Sequence, residues 1–256
     1  MKKIITILLS LFIVITIFAA NRKQEILQQA VEKYENQHFK EALQLFQKLE
    51  NENIVNSKLY FNIGNTHYRL GNLGNAILYY KKALKVKPNF QEAQENLKFA
   101  LSQTTDKQVL ESENFLSALW ENILSRISLN LLAILSILFF ACIIFLINLM
   151  IIRFRKREKT LPTFFTLVLI LLLLLSLFLS FVKWKRYISK NEAVLLADSA
   201  IGYSGPNKEF TRVFTIHEGM IFKIEQQEEG WSLIRLANGM GGWIKNDTFK
   251  KILLAK

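Results

Sequence analysis

Leu129–Ile152 reads LNLLAILSILFFACIIFLINLMII, 24 residues without a charge, and Leu161–Val182 reads LPTFFTLVLILLLLLSLFLSFV, 22 more. Residues 153–160, RFRKREKT, join them and carry five positive charges and one negative. Apolar runs of this length span the ~30 Å hydrocarbon core as helices rising ~1.5 Å per residue. Only a helix satisfies its own backbone groups in lipid. The joining loop is too short to hold a domain. The two spans therefore form a transmembrane hairpin, and the chain before Leu129 and after Val182 is expected on one side of the membrane.

The N-terminus agrees with an envelope protein. Met1-Lys2-Lys3 precedes an apolar run, Ile4–Ala20, that ends in Ala19-Ala20. Residues 1–20 read as a secretory signal peptide or as an uncleaved signal anchor. Either form sends the following residues out of the cytoplasm. Both folded domains are then expected outside the cytoplasm, with the basic loop 153–160 cytoplasmic.

The net charge of +12 suggests nucleic acid until it is mapped. Residues 21–126 carry +2 and residues 191–256 carry 0. Ten of the twelve excess charges flank apolar runs, where Lys and Arg meet anionic headgroups. No nucleic-acid partner is expected, because such a binder concentrates charge on a folded domain. Cys142 is the only cysteine, so no disulfide forms within the chain. It reads as an apolar packing residue.

Residues 21–103 carry a repeat. Ala30 recurs at Gly64, Phe39 at Leu73, Ala42 at Ala76 and Phe46 at Tyr80, each offset by 34 residues. This period with helical apolar spacing is the tetratricopeptide signature, two antiparallel helices per repeat. The repeats are residues 23–56 and 57–90, with a capping helix over 91–103. The second copy is the closer match, with Tyr60, Ile63-Gly64, Gly71, Ala76, Tyr80, Ala83 and Pro88. In the first copy Gln37 replaces the turn glycine, and in the second His67 replaces a usual tyrosine. By this resemblance a concave groove would be lined by Gln24, Leu27, Val31 and Tyr34, then Lys58, Phe61, Asn65 and Tyr68. Tyr34, Phe61 and Tyr68 read equally as packing residues. Two repeats fall below the usual minimum of about three for a stable stack, so completion by self-association or by a partner is expected.

Residues 104–128 hold a polar linker and then Phe115, Leu116, Leu119, Trp120, Ile123, Leu124 and Ile127 at spacings of three and four. This is an amphipathic helix lying along the membrane, or an extension of the first span. In residues 191–256 the period changes to two. Strand candidates are Ala193–Ala197, Phe210–Ile216, Met220–Glu225, Trp231–Leu236 and Gly242–Lys245, separated by glycine turns. Five or six short strands read as a small all-β barrel. Gly205-Pro206, Glu218-Gly219, Gly230-Trp231, Asn238-Gly239 and Gly242-Trp243-Ile244 resemble a bacterial SH3-like domain. A groove of aromatics in such domains binds peptides, including cell-wall peptides, and Tyr203, Trp231 and Trp243 are the candidates. One or both tryptophans could instead brace the barrel, and Trp243 reads more readily that way.

No catalytic constellation appears. Gly202-Tyr203-Ser204-Gly205-Pro206 is not a nucleophile elbow. No phosphate loop exists. His38, His67 and His217 lack ligand spacing. No catalytic, metal or cofactor-binding residue is assigned, and a non-enzymatic protein is expected.

The fold class is thus a multidomain membrane protein: an α-helical tetratricopeptide repeat domain, a two-helix transmembrane hairpin and a small all-β SH3-like barrel. This order of modules is similar to that of the BatE family, envelope components of the bacterial aerotolerance operon. With that resemblance the expected location is the bacterial inner (cytoplasmic) membrane with both folded domains periplasmic, and the resemblance implies a role there in oxidative or envelope stress as an interaction scaffold. It also implies partner membrane proteins carrying von Willebrand A domains, beside a MoxR-type ATPase. The alternative is a cell-wall sensor whose SH3-like domain recognises peptidoglycan.

Overall fold

The computed structural model describes residues 22–106, 124, 127–152, 160–188 and 191–254. The signal-like segment 1–20, most of the amphipathic stretch and the basic loop lie outside the described residues. The chain divides into two compact units. One joins the helical repeats to the C-terminal strands, and the other holds the two long apolar helices.

The first unit begins with five helices: α1 over 22–35, α2 Phe39–Asn51, α3 Ser57–Arg69, α4 Leu73–Val86 and α5 Gln91–Ser102. Small residues at the repeat positions set their spacing. Ala30, Ala42, Ala76 and Ala83 are fully buried. Gly64 lies against the ring of Tyr80, where an added Cβ would stand 2.7 Å from two ring carbons. A tyrosine thus fills in the second repeat the volume that Phe46 fills in the first. Both turns between paired helices take the left-handed conformation, with φ of 63° at Gln37 and 80° at Gly71. Glycine adopts it freely; glutamine does so at a cost.

α4 differs from an ordinary repeat helix. Five consecutive residues, Ala76 to Tyr80, are buried. A helix buried all round is enclosed on every side. α3 and α5 cover part of α4. The rest is covered by the C-terminal domain, since Ile77, Leu78 and Tyr80 share a core cluster with Val194 and Ile252. The cover expected from a second molecule comes from the same chain. Polar contacts frame this core. The Gly74 N–H donates to Glu218 Oε1 at 2.7 Å, so a carboxylate of the second domain caps the N-terminus of α4. Asn72, the residue preceding α4, makes no side-chain cap of its own. Lys81 pairs with Glu192 at 3.0 Å, and Lys85 Nζ donates to the Ile252 carbonyl at 3.1 Å. Asp106 accepts from the His217 N–H at 2.7 Å and meets its ring Nδ1 at 3.0 Å. Gly219, with φ of 87°, lets its turn approach Ile77 and Thr104, each 2.7 Å from an added Cβ.

The C-terminal domain is one seven-stranded antiparallel sheet in the order β3-β2-β6-β5-β4-β1-β7. The strands are β1 Glu192–Leu195, β2 Ser199–Tyr203, β3 Arg212–His217, β4 Ile221–Glu228, β5 Trp231–Arg235, β6 Gly241–Lys245 and β7 Phe249–Lys251. Two of these, β2 and β7, are absent from the strand candidates read in the sequence. All seven strands contribute to one buried cluster, including Ala200, Ile216, Phe222, Ile234, Ile244 and Phe249. The sheet is therefore rolled around that core.

The second unit is the apolar pair, α6 Leu129–Ile152 and α7 Thr160–Ile188. Both are long and apolar enough to cross a membrane. α7 extends beyond the expected end at Val182. The apolar side chains of both helices are largely exposed, with Leu132 and Ile143 the buried ones of α6. Ser136 and Ser176 share a hydrogen bond of 2.7 Å between the two helices, and Ser176 Oγ also donates to the Leu132 carbonyl at 3.0 Å. α6 begins afresh: Ser128 Oγ accepts from the Leu131 N–H at 3.0 Å as its cap. Ile127 and Ser128 are not helical. α6 thus starts at Leu129, and the choice between an amphipathic helix and an extension of the first span falls on residues outside those described. Lys183 Nζ donates to the carbonyls of Leu124 and Ile127.

Candidate functional site

Two surfaces carry the residues expected to bind. The first lies on the helical repeats. Gln24, Leu27, Val31 and Tyr34 form one row along α1. Gln24 and Leu27 are exposed, while Val31 and Tyr34 pack against the repeat core. Tyr34 meets Phe39 edge-on at 5.4 Å. On α3, Lys58 is exposed and Phe61, Asn65 and Tyr68 are partly buried. Packing and display are thus combined in the same side chains.

Asn65 is the polar centre of this surface. Its Oδ1 accepts from the Tyr80 hydroxyl at 2.8 Å and from Asn96 Nδ2 at 2.8 Å. Burial pushes the Tyr80 phenol up, away from ionisation, which keeps it a donor. With its oxygen doubly engaged, Asn65 keeps its amide N–H groups as donors, and Asn96 keeps its oxygen as an acceptor. Aromatic contacts flank the amides. Phe61 meets Phe90 at 5.1 Å, and Tyr68 meets Phe99 edge-on at 5.7 Å. Phe99 is 55% exposed. Asn96 and Phe99 sit on α5, outside the 34-residue repeat, so period counting did not reach them. Their signal was a large aromatic on the face of α5 away from Ala93, Leu97 and Ala100.

The second surface lies on the outer face of β2, β5 and β6. Burial alternates along β5: Ser232 and Ile234 point to the core, and Trp231, Leu233 and Arg235 point away. β6 alternates likewise, with Ile244 inside and Trp243 and Lys245 outside. Neither tryptophan belongs to the core cluster, so Trp243 does not brace the interior as its sequence context suggested. The three aromatics come together. Tyr203 stands opposite Trp243 in the β2–β6 register, and its ring meets Trp231 at 5.7 Å and 88°. Trp231 stands opposite Lys245, whose Nζ lies 6.0 Å from the indole centroid. Tyr203 is buried and both tryptophans are partly exposed. The result is a firm aromatic patch with a cation at its margin.

The contact between repeats and sheet uses α4, Thr104, Asp106, β1, His217, the β3–β4 turn and Ile252, none of which supplies a residue to either surface apart from the buried Tyr80. Among the described residues no group of three or more His, Cys, Asp or Glu side chains is placed to hold a metal ion.

Comparison with known proteins gives two local matches. Residues 57–90 match the family model described as Tetratricopeptide repeat. No curated protein matches the chain. Residues 197–249 match the model described as Bacterial SH3 domain, and this stretch contains the whole aromatic patch.

Proposed function

We propose that the chain is a non-enzymatic adaptor of the bacterial envelope, held in the inner membrane by its apolar hairpin and binding partner proteins in the periplasm. The carrying observation is the shared core of Ile77, Leu78, Val194 and Ile252. It joins two modules of binding type while leaving the Asn65 surface and the Trp231–Trp243 patch uncovered. The same contact supports the hairpin topology, because modules that touch must lie on one side of the membrane. The signal-like start at Met1-Lys2-Lys3 supports the periplasmic side. The module order supports work within an aerotolerance or stress complex, with membrane proteins bearing von Willebrand A domains as partners. Crosslinking in cells followed by affinity capture of the full chain from detergent extract tests this. Recovery of envelope proteins that depends on Asn65 and Phe99 supports it. Capture unchanged in an Asn65→Ala, Phe99→Ala variant contradicts it.

A second reading has its own observation, the outward aromatic patch on a stretch matching the bacterial SH3 model. In this reading the patch binds peptidoglycan and the chain senses the cell wall. Full-length protein in detergent would be retained on insoluble peptidoglycan, and a Trp231→Ala, Trp243→Ala variant would be released. Equal retention of both proteins removes this reading.

A further inference from the structure

A cleft of about 420 Å³ opens where α4 meets the sheet. That is within the range of roughly 300–1,000 Å³ usual for small-ligand sites. Its apolar lining is Leu78, Tyr79, Phe249 and Leu253, and its polar lining is Lys82, Gln227, Asn246, Lys250 and Lys251. None of these belongs to the two surfaces described above. No carboxylate lines the cleft. Lys82 is already paired with Glu50 at 2.8 Å. Among the described residues no carboxylate forms an ion pair with Lys250 or Lys251.

A hydrogen-bond chain anchored on buried Ser232 sets the polarity of the amides that line the cleft. Lys251 Nζ donates to Gln227 Oε1. An ammonium can only donate, so the oxygen of Gln227 is turned to Lys251 and its Nε2 donates to Ser232 Oγ at 3.0 Å. Ser232 is fully buried. Its single proton then goes to Asn246 Oδ1 at 2.6 Å. Both amide oxygens are engaged by donors of the protein itself. The chain begins at an ammonium and ends at the Asn246 amide nitrogen, for which the described residues supply no acceptor. With Lys82 neutralised by Glu50, Lys250, Lys251 and Asn246 give the cleft donors of one polarity above an apolar floor.

We propose that this cleft binds the free carboxylate of a peptide whose last side chain is apolar. Lys250 and Lys251 neutralise the carboxylate, Asn246 Nδ2 donates to it or to the last carbonyl, and Leu78, Phe249 and Leu253 take the side chain. The cleft has lysines but no arginine, so it lacks the planar fork that favours phosphate bidentately.

The test uses the full chain in detergent micelles with acetyl-alanyl-leucine as probe. Acetic anhydride labels lysines, and mass spectrometry reads each site. At about 20 mM the free acid slows labelling of Lys250 and Lys251 by about threefold or more, while its C-terminal amide and inorganic phosphate do not. Lys208 serves as reference and is unaffected. The protection is lost in Asn246→Ala and in Lys251→Gln, with circular dichroism of both variants unchanged. Equal protection by acid and amide, equal protection by phosphate, or none by the acid overturns the proposal. If Asn246→Ala unfolds, Asn246→Asp decides: reversing the amide donor to a carboxylate abolishes protection.

Discussion

Gly74→Ala separates a repeat that merely neighbours the SH3-like domain from one that is fused to it. In an exposed helix interior, alanine in place of glycine stabilises by about 0.8–1.0 kcal/mol. Here the added Cβ would lie 2.7 Å from the Leu195 carbonyl oxygen and 3.0 Å from Glu218 Cγ. The Leu195 oxygen cannot retreat freely, because it accepts from the Gly219 N–H at 2.9 Å. Glu218 cannot retreat without releasing the Gly74 N–H that it caps. Overpacking costs about 1–3 kcal/mol, and loss of a helix cap about 1 kcal/mol. The penalty exceeds the propensity gain, and the net change is a loss of about 1–3 kcal/mol. At roughly 2–4 °C per kcal/mol for a unit of this size, Tm falls by about 2–12 °C. The assay is thermal unfolding of the full chain in detergent micelles. In a Trp120→Phe, Trp184→Phe background, the loss of helical ellipticity on heating follows the repeats, and fluorescence follows Trp231 and Trp243. Both transitions should fall together. A raised Tm, as for an ordinary helical Gly→Ala change, would refute the seating of Leu195 and Glu218 on α4.

Three further outcomes follow from single side chains. His67 is buried, stacks on Tyr79 at 5.4 Å, and its Nδ1 has no partner, so burial lowers its pKa from 6.5 to about 4. The unfolded chain binds the proton first, so stability present above pH 6.5 is lost as pH falls towards 4, by up to about 3 kcal/mol; His67→Phe should flatten this window in denaturant titrations. Gln37 holds φ of 63°, so Gln37→Gly should raise stability by about 0.5–1 kcal/mol in the same titration, while Gly71→Ala lowers it. Trp243→Ala should change Tm by less than about 2 °C, because the ring lies outside the core; a larger drop would restore its role as a brace.

Much of this architecture is legible in the sequence because its causes are local. A 34-residue offset pairs Gly64 with Ala30, and the structure gives the reason in the ring of Tyr80 pressed against Gly64. The two apolar helices follow from length and composition alone. Strands β4, β5 and β6 follow from alternation, while β2 and β7 do not: Ser199–Tyr203 contains a glycine, and Phe249–Lys251 is too short to alternate. The contact between the modules was the larger omission. Its trace was Ile77-Leu78-Tyr79-Tyr80, a run too apolar for a helix with one exposed face. Periodicity reports that a residue is buried, not which distant segment buries it. Asn96, Phe99 and the Ser232 hydrogen-bond chain were unreadable for the same reason, since each is defined by partners from other elements.

Repeats and SH3-like domain are expected to act as one unit on one side of the membrane. Carbodiimide crosslinking of the full chain in native membranes tests it most directly. Lys81 and Glu192 lie 3.0 Å apart across the contact, and Lys33 and Glu41 lie 2.6 Å apart within the first repeat as an internal reference. Both zero-length links should appear within single chains. Recovery of the Lys33–Glu41 link without the Lys81–Glu192 link would contradict the account.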